Sequence, residues 1–249
     1  MKSALSLRRV PLANVRAHPL RSVVILCLAL AQAACVFGGF ILVAAARNEL
    51  SLAERRLGAD LVVYPTSCLN QVDKKRILML GTPVGCHQPR SALARMSSNE
   101  DIASVSHQLY VSETRSDGST RWIVGFEPET DFVLGPWMRE GERASLPHGS
   151  VVVGSAVPGA DGQTLSVFGQ EHPIGAHLLA TGSELDDAVF VSMDTLTDMV
   201  ADARAAGQDI DASLDPATHY SAALVRTSDS DAIESVTNWI NLYVRKVSA

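Results

Sequence analysis

Glu127, Glu129 and Asp131 alternate around Pro128 and are the side chains best suited to chemistry. Three carboxylates this close could hold a small cation, or one of them could serve as a general base. The plainer reading of such alternation is a solvated loop, and it is favoured here. Cys68 and Cys86 form the second candidate, with His87 adjacent as a third ligand type. One cysteine pair and one neighbouring histidine match no tetrahedral zinc spacing. On an oxidising side of a membrane the default is a disulfide, and a loop of this size would stabilise by about 3 kcal/mol in the chain-entropy account. The 7 histidines are scattered, and His172 and His177 fall on one expected hairpin, where a surface role is favoured over a metal. No P-loop, dinucleotide glycine motif, H-E-x-x-H, G-x-S-x-G or C-x-x-C occurs. The chain is therefore expected not to be an enzyme and to carry no cofactor of its own.

The element that must position everything else is Ser22 to Ala46, SVVILCLALAQAACVFGGFILVAAA. It holds no charge, and Gln32 is its only strongly polar side chain. As a helix it spans roughly 37 Å at 1.5 Å per residue, enough for a hydrocarbon core of about 30 Å. A helix is required there because lipid offers backbone N–H and C=O groups no partners. Lys2, Arg8, Arg9, Arg16 and Arg21 precede it without one acid, whereas Arg47, Glu49, Glu54, Arg55 and Arg56 follow as a mixture. The positive-inside rule then puts the N-terminus in the cytoplasm and all that follows Ala46 outside the cell membrane. A cleaved signal peptide is disfavoured because its apolar core would be about 7–15 residues. A lipid-modified Cys35 is disfavoured because the apolar run continues through Val43. Cys27 and Cys35 lie in the span and read as packing residues.

Charge divides the same way. The first 21 residues carry +5 and the remaining 228 carry −11. An acidic outer domain excludes the basic footprint that nucleic acid demands. It also argues against adhesion to anionic headgroups outside. Residues 1–21 are expected to lie along the cytoplasmic face, with Leu5, Leu12 and Val15 toward membrane lipid, or simply to set topology through their arginines. Residues 47–58 read as a helical stalk stopped by Gly58, and residues 59–249 as one extracytoplasmic domain.

Within that domain, Asp60 to Pro65 is an expected strand, and residues 66–96 an irregular insert. Glu100 to Ser104 reads as a short helix. Val105–Arg115 and Thr120–Phe126 read as strands around the turn Asp117-Gly118. Further strands are expected at Ser150–Val153, Thr164–Gly169 and His172–Leu179. Ala188–Ser192 then leads into a helix at Met193–Ala206, and Ala222–Arg226 into a helix at Ser230–Val244, with Gly207–Thr218 a polar loop. Hairpins followed by two β-then-α units make an α+β domain.

Asn14, Arg16, Pro19 and Arg21, leading into an apolar span, resemble the opening of FtsX/MacB-type ABC transporter permeases. Gly58 and Asp60, followed by a strand that ends in Pro65, resemble the entry to their extracytoplasmic core domain. Leu80-Gly81-Thr82-Pro83 and the run Phe126 to Trp137, with Asp131, Pro136 and Trp137, resemble a less studied FtsX-like branch. The resemblance implies a MacB periplasmic-core type of α+β fold in an inner-membrane protein. It implies a cytoplasmic ABC ATPase that holds the ATP, a permease dimer, and transmembrane transport or mechanotransmission. Such permeases have three further spans after the outer domain. Here the sequence stops at Ala249, about where the second would approach, so a fragment or a split permease with its remaining spans on another chain is expected. The alternative is a single-span binding or sensor module without an ATPase.

Overall fold

A computed structural model describes residues 16–56, 58–68, 82–115, 117–139, 142 and 146–249. Two compact units emerge, Met1–Glu54 and Arg55–Ala249. Asn14 and Gly81, and the helix expected on the cytoplasmic face before Arg16, lie outside the described residues.

The first unit is built on α1, Pro19–Arg56, a single helix of 38 residues. Proline suits its first turn, where the missing N–H would have had no partner. Ser22 N–H donates to the His18 carbonyl at 3.1 Å, and the Ser22 hydroxyl to the same oxygen at 3.0 Å. Pro19–Arg47 is long and apolar enough to cross a membrane. Its apolar side chains point to every side and stay exposed, Phe37, Phe40 and Leu42 among them. A core helix of a soluble protein would bury at least one face. A Cβ added at Gly38 or Gly39 would meet nothing within 4 Å.

The second unit is a mixed α+β domain. Its strands are β1 (Leu61–Pro65), β2 (Gln88–Pro89), β3 (Ile102–Thr114), β4 (Thr120–Phe126), β5 (Val151–Val153) and β6 (Thr164–Val167), followed by β7 (Gln170–His177), β8 (Val189–Ser192), β9 (His219–Tyr220), β10 (Ala222–Thr227) and β11 (Val247–Ser248). Nine of them form one sheet in the order β11-β1-β10-β3-β4-β8-β5-β7-β6. The β4/β8 and β5/β7 pairs are parallel and the rest antiparallel. Two helices accompany the sheet, α2 (Met193–Ala205) and α3 (Ile233–Tyr243).

Strand alternation sorts the core onto two faces. Leu109, Val111, Ile123, Val151, Val153, Val189 and Val191 gather with Leu196, Met199, Val200 and Ala203 of α2. Their chain neighbours Tyr110, Val124, Val152 and Phe190 point the other way, against Leu134, Met138 and Trp137 of the 127–138 loop. Both faces are covered, which is why Val151–Val153 and residues 189–191 are continuous apolar runs. A third cluster joins β1 and β10 to α3 through Val63, Val225, Val236 and Ile240. α2 lies so close to β4 that a Cβ on Gly125 would sit 2.5 Å from Leu196 Cδ2, leaving room for glycine alone without repacking.

The helix expected at Glu100–Ser104 is not there. Ile102 to Ser104 open β3, because β10 pairs with them (Thr227↔Ile102, Arg226↔Ser104), a non-local pairing that overrides a helical local pattern. Helical structure sits instead at Arg90–Ser98, a 3-10 segment within what reads as an irregular insert. The last helix also starts later than expected, with Ser230–Ala232 a 3-10 turn capped by the Asp229 side chain.

Candidate functional site

Asp131 does not face solvent or its neighbouring acids. It is buried, and its carboxylate accepts the N–H groups of Val133, Leu134 and Gly135 at 3.1, 3.0 and 2.8 Å. It therefore shapes the loop that ends in the turn Gly135–Trp137. Trp137 and Leu134 from that loop pack on the sheet's second face. Asp60 serves the backbone in the same way. It accepts from Thr227 N–H at 2.8 Å and from the Thr227 hydroxyl at 3.1 Å, tying the start of β1 to the end of β10. Gly58 has φ +79°, a conformation that glycine adopts without strain. Cys68 is fully buried and is bonded to Cys86. Pro19 and Arg21 stand in the first turn of α1 and Arg16 just before it, far in sequence from any of these. Within the second unit, Gly58, Asp60 and Asp131 thus shape and tie the backbone at separate places.

Glu127 is different. Arg90 donates to its carboxylate, and His107 Nδ1 lies 3.5 Å away on the other oxygen. The same guanidinium donates to the carbonyls of His219 and Pro216 at 3.2 Å each. Arg90 thereby clamps the 215–219 loop to the 127–130 loop. Burial holds the His107 pKa below its ordinary value; Glu127 raises it and Arg90 lowers it further. His107 is therefore neutral near pH 7.

Above this clamp opens a cleft of about 470 Å³. Arg90, Glu127 and Glu129 form one wall; Ser192, Asp194 and Thr197, at the N-terminus of α2, form the other. A chain of hydroxyls and a histidine starts from that second wall at Ser192 and passes through the buried Thr195. Ser192 Oγ donates to Thr195 Oγ1 at 2.8 Å, Thr195 Oγ1 lies 3.5 Å from His148 Nδ1, and His148 Nε2 lies 3.0 Å from Asp198. The order hydroxyl–histidine–carboxylate is that of an activated nucleophile. The geometry instead fits a helix cap. Ser192 Oγ accepts the Thr195 N–H at 3.2 Å. Thr195 is buried, and its oxygen already accepts the Gly149 N–H at 3.0 Å.

The histidines do not build a metal centre either. His87 and His219 meet edge to face, ring centroids 4.9 Å apart, with Asp211 3.7 Å from His87. But Asp215 N–H donates to His219 Nδ1 at 2.9 Å. The neutral ring then carries its proton on Nε2, leaving no lone pair there for a metal. His172 and His177 both lie on β7, but each is taken up by a separate backbone carbonyl: His172 Nδ1 is 3.2 Å from that of Gly149 and His177 Nε2 3.0 Å from that of Ala160. Among the described residues no group of three histidines, cysteines or acids could hold an ion.

No protein-family model and no curated protein matches the chain. Solved structures do match it. One is the extracellular domain of the noncanonic ABC-type transporter YknZ from Gram-positive bacteria, at 11% identity and a TM-score of 0.41, covering 76% of this chain and 97% of that one. Another is the periplasmic region of MacB from Actinobacillus actinomycetemcomitans, at 12% identity and a TM-score of 0.42, covering 75% and 85%. The domain is similar to both.

The cleft could not be read from the chain. Glu127 was a candidate, but Arg90, His107, Ser192 and the 215–219 loop come from distant segments. Arg90 and Glu127 are 37 positions apart, and Arg90 and His219 129. No local pattern marks such a junction.

Proposed function

We propose that this chain is the first span and extracytoplasmic domain of an FtsX-like ABC transporter permease. Its N-terminus lies in the cytoplasm and its α+β unit outside, and it couples a cytoplasmic ATPase to work done outside the membrane. The observation that carries this reading is α1, an unbroken helix from Pro19 to Arg56 with an uncharged stretch long enough to cross a bilayer. A helix without a proline in its interior passes displacement along its length, where a flexible linker would absorb it. The permease motifs on either side of it, Arg16 to Arg21 and Gly58 to Pro65, support the same reading, as does a disulfide, which belongs to an oxidising compartment. ATP is held by the partner, since the chain has no nucleotide motif. The permease works as a dimer with further spans, and its cargo is a lipid-like, peptide or drug-like molecule, or its target a partner protein.

Two measurements test this. Reconstituted in lipid with its ATPase and the further spans, the assembly hydrolyses ATP; the chain alone does not. Insertion of Gly-Ser after Glu54 leaves hydrolysis largely intact and uncouples it from the outer function. Undiminished outer function in that variant would sink the lever. The open cleft between Arg90 and Asp194 favours a second reading, a single-span binding module. Full outer function of residues 1–249 without any ATPase would select it.

A further inference from the structure

A second groove, also of about 470 Å³, lies where the 3-10 segment Arg90–Ser98 meets the end of α3. Arg95, Arg245 and Lys246 line it together with Tyr243, Gln88 and Ser91, and no carboxylate belongs to its walls. In a domain with a large excess of acids, three of the few cations share one groove, and no described carboxylate pairs with any of them.

Helix capping accounts for only part of this. Arg95 Nη1 donates to the Tyr243 carbonyl at 3.3 Å, and its guanidinium lies 5.7 Å from the Tyr243 ring centre. A helix C-terminus carries about half a negative charge, which Arg95 alone more than offsets. Arg245 and Lys246 are exposed and leave roughly two positive charges uncompensated in the groove. The backbone points the same way. Lys246 has φ +64°, a left-handed conformation that costs a side-chain-bearing residue and costs glycine nothing. Its carbonyl accepts the Thr66 N–H at 2.9 Å, so the turn itself is needed to seat β11 on β1. A glycine would hold that turn with less strain, yet the position carries a lysine whose ammonium stands at the groove.

We infer that the groove formed by Arg95, Arg245 and Lys246 binds a phosphate group, free or as the headgroup of a lipid. Two guanidinium forks suit phosphate oxygens, and an ammonium adds a point charge. Tyr243, which lines the groove, is 50% exposed, and its chain neighbour Leu242 is 77% exposed, so both offer apolar surface to an acyl chain. This inference stands apart from the permease reading.

The test uses the full chain in uncharged detergent, with inorganic phosphate, short-chain phosphatidic acid and short-chain phosphatidylcholine as probes. Backbone amide shifts at residues 243–246 report binding. We expect phosphate and phosphatidic acid to shift them and phosphatidylcholine not to. Tighter binding of phosphatidic acid by about tenfold or more assigns the groove to a lipid headgroup; equal affinity assigns it to a free phosphate. No shift with either anion overturns the proposal, as does an equal response to phosphatidylcholine. R245Q/K246Q should weaken binding by about tenfold or more, while R115Q, on the β3–β4 hairpin, leaves it unchanged. Lys246→Gly should raise the melting temperature and weaken phosphate binding together. If Lys246→Gly bound phosphate as the wild type does, the groove would not be a phosphate site.

Discussion

Two half-buried histidines, His87 and His107, make the domain sensitive to acid. Burial holds the His87 pKa down, with His219 lowering it further and Asp211 raising it, and burial does the same for His107 beside the Arg90–Glu127 clamp. Each ring binds its proton less readily folded than unfolded. The unfolded chain therefore takes up more protons once pH falls below about 6.5, the ordinary histidine value. Stability is fully present above that pH and falls below it, until the folded-state pKa is passed. Thermal melts between pH 7.5 and 5 should show a falling melting temperature for the wild type and a flatter profile for H87N/H107Q. Parallel profiles would mean that neither ring is held neutral. Carboxylates with depressed pKa values, such as Asp215 through its Thr218 hydrogen bond, act only at lower pH, so the two windows separate.

At the scale of elements, the most consequential polar contact lies between strands. Glu113 on β3 and Arg121 on β4 are both buried, and Arg121 donates to the Glu113 carboxylate from Nε at 2.9 Å and from Nη2 at 2.5 Å. The other carboxylate oxygen accepts the Phe168 N–H, and Arg121 also donates to the Ser166 carbonyl, so one ion pair ties the β6–β7 hairpin to the centre of the sheet. Phe168 sits in that hairpin's turn at φ +51°, a conformation the bond to Glu113 helps to hold. Arg121→Met should cost about 3–5 kcal/mol, because it strands a buried carboxylate. The pair E113L/R121M should recover much of that loss, since both desolvation penalties disappear together. Chemical denaturation of the two single variants and the double gives the coupling directly. Strict additivity would show that the pair does not act as one unit.

For the whole molecule, topology is the deciding property. With Cys27 and Cys35 changed to serine, single cysteines at exposed positions such as Asp161 and Asp209 should react with an impermeant maleimide in intact cells. A cysteine at Asn14 should react only after the membrane is opened. Protection of the two outer positions would reverse the assignment made from the basic flank of α1.

The long apolar helix, the strands with strong alternation and the hairpin at Asp117-Gly118 were legible because each is decided by neighbours a few residues away. An uncharged run of this length leaves few alternatives to a membrane helix. Val151–Val153 and Val189–Ser192 announce buried strands by composition alone. The pairing of Cys68 with Cys86 was open to reading for a simpler reason, since the sequence after Ala46 has no other cysteine. What only the tertiary structure decided depends on partners distant in sequence. Ile102 to Ser104 became strand because β10 lies alongside, and Val247–Ser248 became the edge of the sheet because β1 accepts it. Asp131 left the acidic cluster for the backbone of its own loop, where its carboxylate accepts three N–H groups. The Arg90 clamp joins the 90, 127 and 216–219 segments, and the cationic groove joins Arg95 to Arg245 and Lys246. A chain's order carries no signal for which of its charges will share a surface; the packing of α2 and α3 on the sheet settles that.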